Sequence, residues 1–527
     1  MKFETNYSGQ TFAMRRANVM KKAFVILGFI VCSLLGIPSQ SFAAETAVNI
    51  SLPNFSITLN GIEVDNTYRQ YPIITYEGIT YFPLTYNDCR FLGLTTDWDV
   101  KNGLQIKQDL ISALYLPEQR QQKNAAQATA HIAQLPITIN GQPIINAHEK
   151  YPFLLFRDVT YFPLTWQYAH DMFQWRYQFS PQTGLAIDSS NKFVTDVKPA
   201  ANSYGTPAVL YQQNLIWRKT GSDLFYQAPL HDLTKSQEIL TLPEQQHDSP
   251  YQPYFNRCNN VLGLHVLSHE KYPHYYMRDG AFKEEVEQFY QDFGGYELYF
   301  DIDYPPASPF VKIAQNGGPK TLVGGINFIP STAVIRYYLV DDSLYLLGRI
   351  RGEADDRVYR YHLPTQKLSV AYDRPADDFI LEDGYLTIAY KNEIYAISDT
   401  GQAQLLITDL YPDWLGGNEG NITKQRMVRW AETIYYVDTD KHLRSQRKTD
   451  LLSLGEVEGL QIMGNYLVVT FTPTKETPHR LIIMNDQGNI IFQTDDNFDP
   501  LEDGLSIDED LLFYTYQGHY CLVDLAK

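Results

Sequence analysis

At 527 residues the chain is too long for one ordinary core and divides into about three domains on the usual size range. Its 44% apolar and 14% aromatic content is enough to fill such cores, which excludes wholesale disorder. A formal charge of −18 repels phosphate backbones, excluding nucleic acid as a partner and favouring solubility, cations or basic partners.

The first residues read as a targeting segment. Arg15, Arg16, Lys21 and Lys22 precede an apolar run, AFVILGFIVCSLLGI (23–37), and Ser41-Phe42-Ala43-Ala44 supplies a small-residue cleavage pattern. The run is short for a membrane span and breaks at Pro38. Residues 1–43 are therefore expected to be a secretory signal peptide, with Met14 or Met20 as alternative starts, and the protein to be extracellular or in the cell envelope. An uncleaved anchor is the other reading of the same residues, and only that reading brings a membrane partner. FIVC (29–32) lacks the small residue that precedes a lipidated cysteine. Cleavage after Ala43 removes Lys2, Arg15, Arg16, Lys21, Lys22 and Glu4, taking the formal charge from −18 to −22. Cys89, Cys258 and Cys521 then remain, odd in number and widely spaced, which is neither a disulfide framework nor a metal cluster. One bridge is open to them; buried thiols are the simpler expectation.

The word TYFPLT occurs at 80–85 and again, eighty residues later, at 160–165. Its neighbourhood repeats with it. Asn60-Gly61 matches Asn140-Gly141, Tyr71-Pro72 matches Tyr151-Pro152, and NGLQI (102–106) answers TGLAI (183–187) with one inserted residue. Two copies of one module are present, at 50–110 and 136–190. In each, alternating residues meet Asn-Gly, whose tolerance of positive φ makes a hairpin turn, and a returning strand follows. A short strand, a turn at Glu77-Gly78 or Arg157-Asp158, and the strand ending in YFPL come next. Pro83 and Pro163 donate no ladder hydrogen bond and should end that strand. TYNDCRFLGL and TWQYAHDMFQW then carry apolar residues at helical intervals, predicting a short helix over a small sheet. TYFPLT is thus a strand end and helix start, and its aromatics are expected in a core.

On these residues each module resembles the copper amine oxidase N-terminal-like domain of secreted bacterial proteins. The first copy carries Asn60-Gly61, Tyr81-Phe82-Pro83-Leu84, Leu92-Gly93, Trp98 and Gly103-Leu104-Gln105-Ile106; the second departs from it with Met172-Phe173 in place of Leu92-Gly93 and Phe179 near the place of Trp98. The resemblance implies a stalk, not an oxidase. Copper chemistry needs a tyrosine in an Asn-Tyr-acidic context and three histidine ligands. Here Asn465-Tyr466 is followed by Leu467 inside an alternating strand, GNYLVVTF, so copper oxidation is rejected.

Between the copies, residues 111–135 form a linker whose EQRQQKNAAQATAHIAQ stretch (118–134) reads equally as a helical spacer or a loose connection. A second linker spans 196–203. From about residue 205 to 527 the rhythm changes to turn, aromatic strand, polar turn and aromatic strand, at intervals of roughly 30 to 50 residues, the period of four-stranded propeller blades. Six or seven blades are expected, with a β-sandwich series as the structural alternative. This region resembles the secreted bacterial β-propellers of the low-density-lipoprotein-receptor YWTD type in rhythm, although no YWTD word occurs. FKEEVEQFYQDFGG (282–295) is predicted to be an amphipathic helix inserted among the strands, either decorating a binding face or filling a loop.

Catalytic constellations are weak. His265, His269 and His274 with Glu270 offer metal-ligand types, but on one strand His265 and His269 would sit about 13 Å apart, too far for one ion. Asp355-Asp356, Asp377-Asp378 and Asp495-Asp496 are carboxylate pairs of the kind glycosidases use, yet they fall in apparent turns, where aspartate caps backbone. Asp495-Asp496-Asn497 with Asp499 lacks EF-hand spacing for calcium. No nucleophile elbow, phosphate loop or zincin motif occurs. No catalytic, cofactor or metal residue is assigned.

The sequence thus predicts a mainly β protein, two small α+β stalk-like modules followed by a six- or seven-bladed propeller. The expected role is a secreted, non-enzymatic binding or scaffold protein whose tyrosine-rich ring engages a cell-wall polysaccharide, a peptide or an extracellular protein. The alternatives are an extracellular propeller glycan hydrolase or lyase, with acids converging on the ring's channel, and a purely structural envelope component.

Overall fold

The computed structural model describes residues 46–109, 111–199, 206–243, 252–258, 261–267, 273–285, 288–292, 295–301, 310–325, 328–330, 336–382, 384–412, 425–447, 455–472, 480–496 and 504–527. The expected signal peptide lies outside them. The protein is mainly β, and no helix among the described residues is long and apolar enough to cross a membrane.

The two copies of the repeat are laced together. Strands β1 (Ala47–Ser51), β2 (Ile57–Leu59), β3 (Ile62–Glu63), β4 (Ile74–Tyr76), β5 (Ile79–Pro83), β6 (Leu94–Asp99) and β7 (Gly103–Gln108) belong to the first copy. Their counterparts are β8 (Gln127–Ile132), β9 (Ile137–Ile139), β10 (Gln142–Ile144), β11 (Leu154–Phe156), β12 (Val159–Pro163), β13 (Arg176–Ser180) and β14 (Gly184–Asp188). The presumed linker therefore contains a strand, β8, rather than a helix or a loose connection. A closed barrel runs β1-β4-β5-β12-β11-β8, drawing three strands from each copy.

At its centre the repeated word pairs with itself. β5 and β12 are antiparallel with Phe82 opposite Phe162, and Tyr81 and Tyr161 each opposite the other copy's proline. Each strand ends at its proline as expected, and one further hydrogen bond on each side follows, from the Leu84 and Leu164 amides to the Thr160 and Thr80 carbonyls at 2.9 and 2.8 Å. Strand alternation sends Tyr81 and Tyr161 into the barrel, while Phe82 and Phe162 point into a larger core outside it. The two phenyl rings meet edge to face at 5.7 Å. Burying each phenylalanine contributes about 1.5–3 kcal/mol, and the ring pair about 0.5–1.5 more.

Outside the barrel the copies exchange strands. The closing strand β7 runs parallel to β9, and β14 runs parallel to β2, giving sheets β10-β9-β7-β6 and β13-β14-β2-β3. The glycines of NGLQI and TGLAI permit this. A Cβ on Gly103 would lie 2.2 Å from the Pro136 carbonyl oxygen, and one on Gly184 2.0 Å from that of Ser56. Both glycines have positive φ, 72° and 78°.

The inserted residue of the second copy is absorbed locally. In the first copy α1 (Tyr86–Phe91) is a six-residue α-helix capped by Thr85, whose hydroxyl accepts from the Asp88 amide while Asp88 accepts from the hydroxyl. In the second, residues Gln167–Met172 widen into a π-turn, with the Phe173 amide reaching back to Tyr168. Realigned by that one residue, Phe173-Gln174 takes the place of Leu92-Gly93, and Gln174 accepts φ 55° where Gly93 has 71°. Phe179 then falls where Trp98 does, since Phe179 faces Leu185 across its ladder as Trp98 faces Leu104.

The remainder is a β-propeller. Among the described residues, consecutive antiparallel sheets span 208–241, 252–285, 288–322, 328–372, 378–407, 427–445, 457–494 and 506–524. Every adjacent pair shares a buried cluster, and the eighth packs back on the first through Phe513 and Tyr520 against Leu210, Leu215 and Trp217. The ring is latched by β15 (Thr195–Asp196), which pairs with His519–Asp524 and supplies the last sheet's outermost strand. The helix expected at 282–295 does not form. Ala281–Glu285 and Gln288–Asp292 are strands, because Asp279-Gly280 with φ 52° and 77° makes a tight hairpin turn that aligns Phe282 opposite Met277.

Gly184→Ala should lose at least about 2 kcal/mol in urea unfolding, since both backbone conformation and the partner strand forbid a Cβ. Gly141→Ala, with φ 80° but open space around it, should lose only about 1–2 kcal/mol. Equal losses would mean that the strand exchange does not constrain Gly184.

Candidate functional site

The lobes meet through a buried ionic clamp. Arg90, on α1, donates from Nε to Asp495 Oδ1 at 2.7 Å and from Nη2 to Asp496 Oδ1 at 2.7 Å, its other contact to Asp495 closing the fork. The Tyr514 hydroxyl donates to the far oxygen of Asp496 at 3.1 Å. Burial works against the Arg90 charge, but Asp496 and Asp495 outweigh it and push its pKa up. Burial pushes the Asp496 carboxyl up, opposed by Arg90 and then by Tyr514, with the Asp495 charge adding a smaller push upward. Tyr86 lies under the guanidinium at 5.0 Å. Asp495-Asp496 is therefore no solvated turn, and its chemistry is committed to holding two lobes together. Asn497 and Asp499 lie outside the described residues.

Beside the clamp opens a cleft of about 860 Å³. One wall is the segment leaving β14, with Ser190, Lys192, Phe193 and Thr195; the other is the outer strand Ile490–Thr494 of the seventh sheet with Leu511, Leu522, Asp524 and Lys527 of the eighth. The segment is tied down where Lys192 Nζ donates to the Leu525 carbonyl at 2.8 Å and Asn191 Nδ2 to that of Ile111 at 3.1 Å. Burial lowers the Lys192 ammonium pKa, while the Lys527 hydrogen bond holds the Asp524 carboxyl below its usual range. Phe193 and Ile490 remain 39% and 41% exposed, an apolar pair set among polar groups. Ile490–Thr494 is the edge of its sheet, and the Ser112 amide already donates to the Gln493 carbonyl at 2.8 Å. The sequence signalled neither the clamp nor the cleft, because Arg90 and Asp495 stand 405 residues apart.

The other carboxylate pairs are also structural. Asp378 is fully buried on an inner strand with Arg336 Nε at 3.2 Å, and Arg336 further donates to the Phe379 and Met427 carbonyls, joining sheets five and six. Burial pushes the Asp378 carboxyl up and Arg336 pulls it back. Asp377 faces Arg426 at 3.6 Å, and Asp356 faces Arg349 at 3.1 Å. Asp355 has an exposed place in the turn. Tyr466 donates to Asp510 at 2.6 Å from within a strand, a packing role for the rejected Asn465-Tyr466. Cys89 and Cys521 are buried thiols outside any disulfide, and burial raises the Cys89 thiol; the Cys258 side chain lies outside the described residues.

His265 pairs across its hairpin with His274, Nδ1 to Nδ1 at 2.7 Å, while His269 and Glu270 lie outside the described residues. Tyr254 stacks on His265 at 5.3 Å and Tyr276 meets it edge on. Burial lowers His265 to about 3, aided by His274, and lowers His274 to about 4. Both rings are neutral at pH 7. One three-residue group passed over in the sequence is Asp438, Asp440 and His442, whose ligand atoms lie within 4.8 Å of one another. Asp438 is already spent on the Arg444 guanidinium at 2.6 Å and the His442 and Asp440 amides at 2.8 and 3.0 Å. It builds a turn.

No protein-family model matches the chain, so the copper amine oxidase N-terminal-like and YWTD-type resemblances rest on the sequence words alone. No curated protein matches it by sequence. Among solved structures it is similar to a quinoprotein alcohol dehydrogenase-like protein from Bacteroides thetaiotaomicron, at 11% identity and TM-score 0.33, over 89% of this chain and 96% of that one. It is similar to the Dos1 propeller, at 9% identity and TM-score 0.35, over 63% and 94%. The β-propeller domain of the Trilobed protease from Pyrococcus furiosus gives 11% identity and TM-score 0.33, over 50% and 90%. These neighbours are β-propellers, and none of their activities is transferred to this chain.

Arg90→Met should cost about 3–5 kcal/mol in urea unfolding, because two carboxylates are left buried without a counter-charge. Adding Asp495→Asn and Asp496→Asn should recover most of that loss; no recovery would mean the arginine acts through packing alone. The histidine pair carries a pH signature. Its depressed pKa values mean stability is present above the unfolded value of about 6.5 and is lost as pH falls through about 4 and 3. His265→Leu/His274→Leu should flatten unfolding midpoints between pH 6.5 and 4, and an unchanged slope would sink this assignment.

Proposed function

We propose that this is a non-enzymatic binding and scaffold protein of the bacterial cell envelope, exported by its N-terminal segment. In this reading the interlaced repeat is the stalk, and it presents an eight-bladed ring to an extracellular polypeptide. The observation that carries it is the cleft at the junction of the lobes. It is open, amphipathic and bordered by the sheet edge Ile490–Thr494, which is the form of site that takes up an extended segment by strand addition. Phe193 and Ile490 would receive apolar side chains, and backbone of the edge strand would hold the main chain. The non-enzymatic part is supported by the fate of the most buried acids. Among the described residues, Asp378, Asp496, Asp438 and Asp88 each face an arginine, Arg336, Arg90, Arg444 and Arg69.

The test is to pan a phage-displayed library of random ten-residue peptides on the full chain and remeasure selected peptides on Ile490→Arg. Binding weakened by about ten-fold or more supports the cleft, since a charge placed on its apolar wall is desolvated on docking. Peptides that bind both proteins equally would remove the cleft as the site. Shortened peptide or glycan products after incubation would overturn the non-enzymatic reading.

A further inference from the structure

Four asparagines of the chain are followed by glycine, at 60–61, 102–103, 140–141 and 316–317. Asparagine in that setting modifies itself, because a glycine's backbone nitrogen has no side chain beside it to hinder attack on the neighbouring carboxamide. Three of the four share a left-handed backbone, with φ 48° and 78° at Asn60-Gly61, 47° and 80° at Asn140-Gly141, and 50° and 69° at Asn316-Gly317. That conformation carries the glycine nitrogen away from the carboxamide, so the turn must open before the two can meet. What holds each turn shut sets its fate.

The two copies of the repeat treat the same asparagine differently. Asn60 is 5% exposed. The Ser189 amide donates to its Oδ1 at 2.8 Å, the Ser189 hydroxyl lies 2.9 Å from that oxygen, and Asn60 Nδ2 donates to the Phe91 carbonyl at 2.9 Å. Asn140 is exposed; the Gln108 amide donates to its Oδ1 at 3.0 Å, and its Nδ2 reaches the Met172 carbonyl only at 3.4 Å. Nothing lies within 4 Å of where a Cβ on Gly141 would be. Ser189 and Gln108 are equivalent residues, each just beyond or at the end of a closing strand. Serine is short enough to lie against the carboxamide it caps, whereas the Gln108 side chain leaves it and donates to the Phe173 carbonyl and the Ser190 hydroxyl at 2.8 and 3.1 Å. Asn102 is exposed but tethered: Asp99 Oδ2 accepts from its Nδ2 at 2.7 Å and Asp99 Oδ1 from its amide at 2.8 Å, while Gly103 is wedged beneath the Pro136 carbonyl.

We propose that Asn140-Gly141 is a self-modification site, at which Asn140 converts to aspartate and isoaspartate on the folded protein while its counterpart Asn60 is preserved. The Gly141 nitrogen attacks Asn140 Cγ; the N–Cγ bond forms, the Cγ–Nδ2 bond breaks, and the glycine's proton leaves with Nδ2 as ammonia. Water then opens the cyclic imide at one carbonyl or the other, giving aspartate or isoaspartate, and no electrons change hands. Either product sets a carboxylate beside the Met172 carbonyl, and isoaspartate adds a backbone carbon to the turn. That moves the acceptor away from the Gln108 amide at the end of the exchanged strand β7, and through the Gln108 side chain the change reaches Ser190 on the wall of the cleft. The product is an ageing mark on the strand exchange, and it stands whether or not the cleft takes a polypeptide.

Peptide mapping of the full chain by mass spectrometry, with isoaspartyl methyltransferase labelling at intervals during incubation in mildly alkaline buffer, tests it. Asn140 is expected to convert at least about ten-fold faster than Asn60 or Asn102, since their turns open only by breaking more and better hydrogen bonds. Asn316, exposed with open space around Gly317, is expected to convert alongside Asn140 and marks the rate of an unshielded turn. In concentrated urea the four rates are expected to converge. Ser189→Ala, which strips the hydroxyl from Asn60 and leaves Asn140 untouched, is expected to speed conversion at Asn60 alone, and the urea midpoint of aged protein to fall as isoaspartate at 140 accumulates. Equal rates at Asn60 and Asn140 in the folded chain overturn the proposal, as does no conversion at Asn140 or a difference that persists in urea. Ile490→Arg bears on the cleft alone, so failure there is separable from failure here.

Discussion

The pairing of TYFP with TYFP is the contact on which the N-terminal lobe is built. With Phe82 set opposite Phe162, the two copies are related by a local two-fold axis, and every other strand must satisfy the same symmetry. The ladder's alternation then decides two cores at once, tyrosines into the barrel and phenylalanines into the space outside it. Neither copy closes that outer core alone, because its closing strand lies beside the other copy's second strand, β9 or β2. Glycine at 103 and 184 is the sequence-level trace of that exchange, kept where a passing carbonyl leaves no room for a Cβ.

Symmetry in the framework coexists with divergence on its surface. One inserted residue turns a capped α-helix into a π-turn, and the Arg90 position becomes histidine. The first copy therefore carries a cation that can neutralise Asp495 and Asp496 in a buried junction. Such a junction is costly to desolvate and costlier to break, so it fixes orientation more than it adds net stability. The second copy has no such cation and leaves its rings in solvent. Among the described residues, duplication thus yields one face that meets the propeller acids and one that does not.

In the ring, the aromatic strands that suggested a binding face mostly serve as packing between sheets. Tyr359, Tyr361 and Tyr435 lie buried in the clusters that join neighbours. The Arg336–Asp378 pair ties adjacent sheets through backbone carbonyls, Arg336 donating to those of Phe379 and Met427. Closure by β15 makes the ring's last sheet depend on the segment that leaves the repeat, which is why the cleft forms at that point and not on the ring's axis.

Local pattern carried a good deal of this. Asn60-Gly61 and Asn140-Gly141 form the predicted turns with φ near 48° and 78–80°, Pro83 and Pro163 end their strands, and the turn-and-strand rhythm after residue 205 becomes a propeller. Where pattern misled, a competing local signal was overlooked: Asp279-Gly280 makes a hairpin of a segment whose apolar spacing also suited a helix. Composition and spacing determined that the chain is a duplicated β module followed by a ring of repeated sheets, because turn chemistry and two-residue alternation act over a few residues. Only the tertiary structure decided that the duplicates exchange strands, that the last sheet packs back on the first, and that Asp495 and Asp496 face Arg90 rather than water. Those outcomes depend on which distant surfaces meet, and no local spacing encodes a contact across 405 residues.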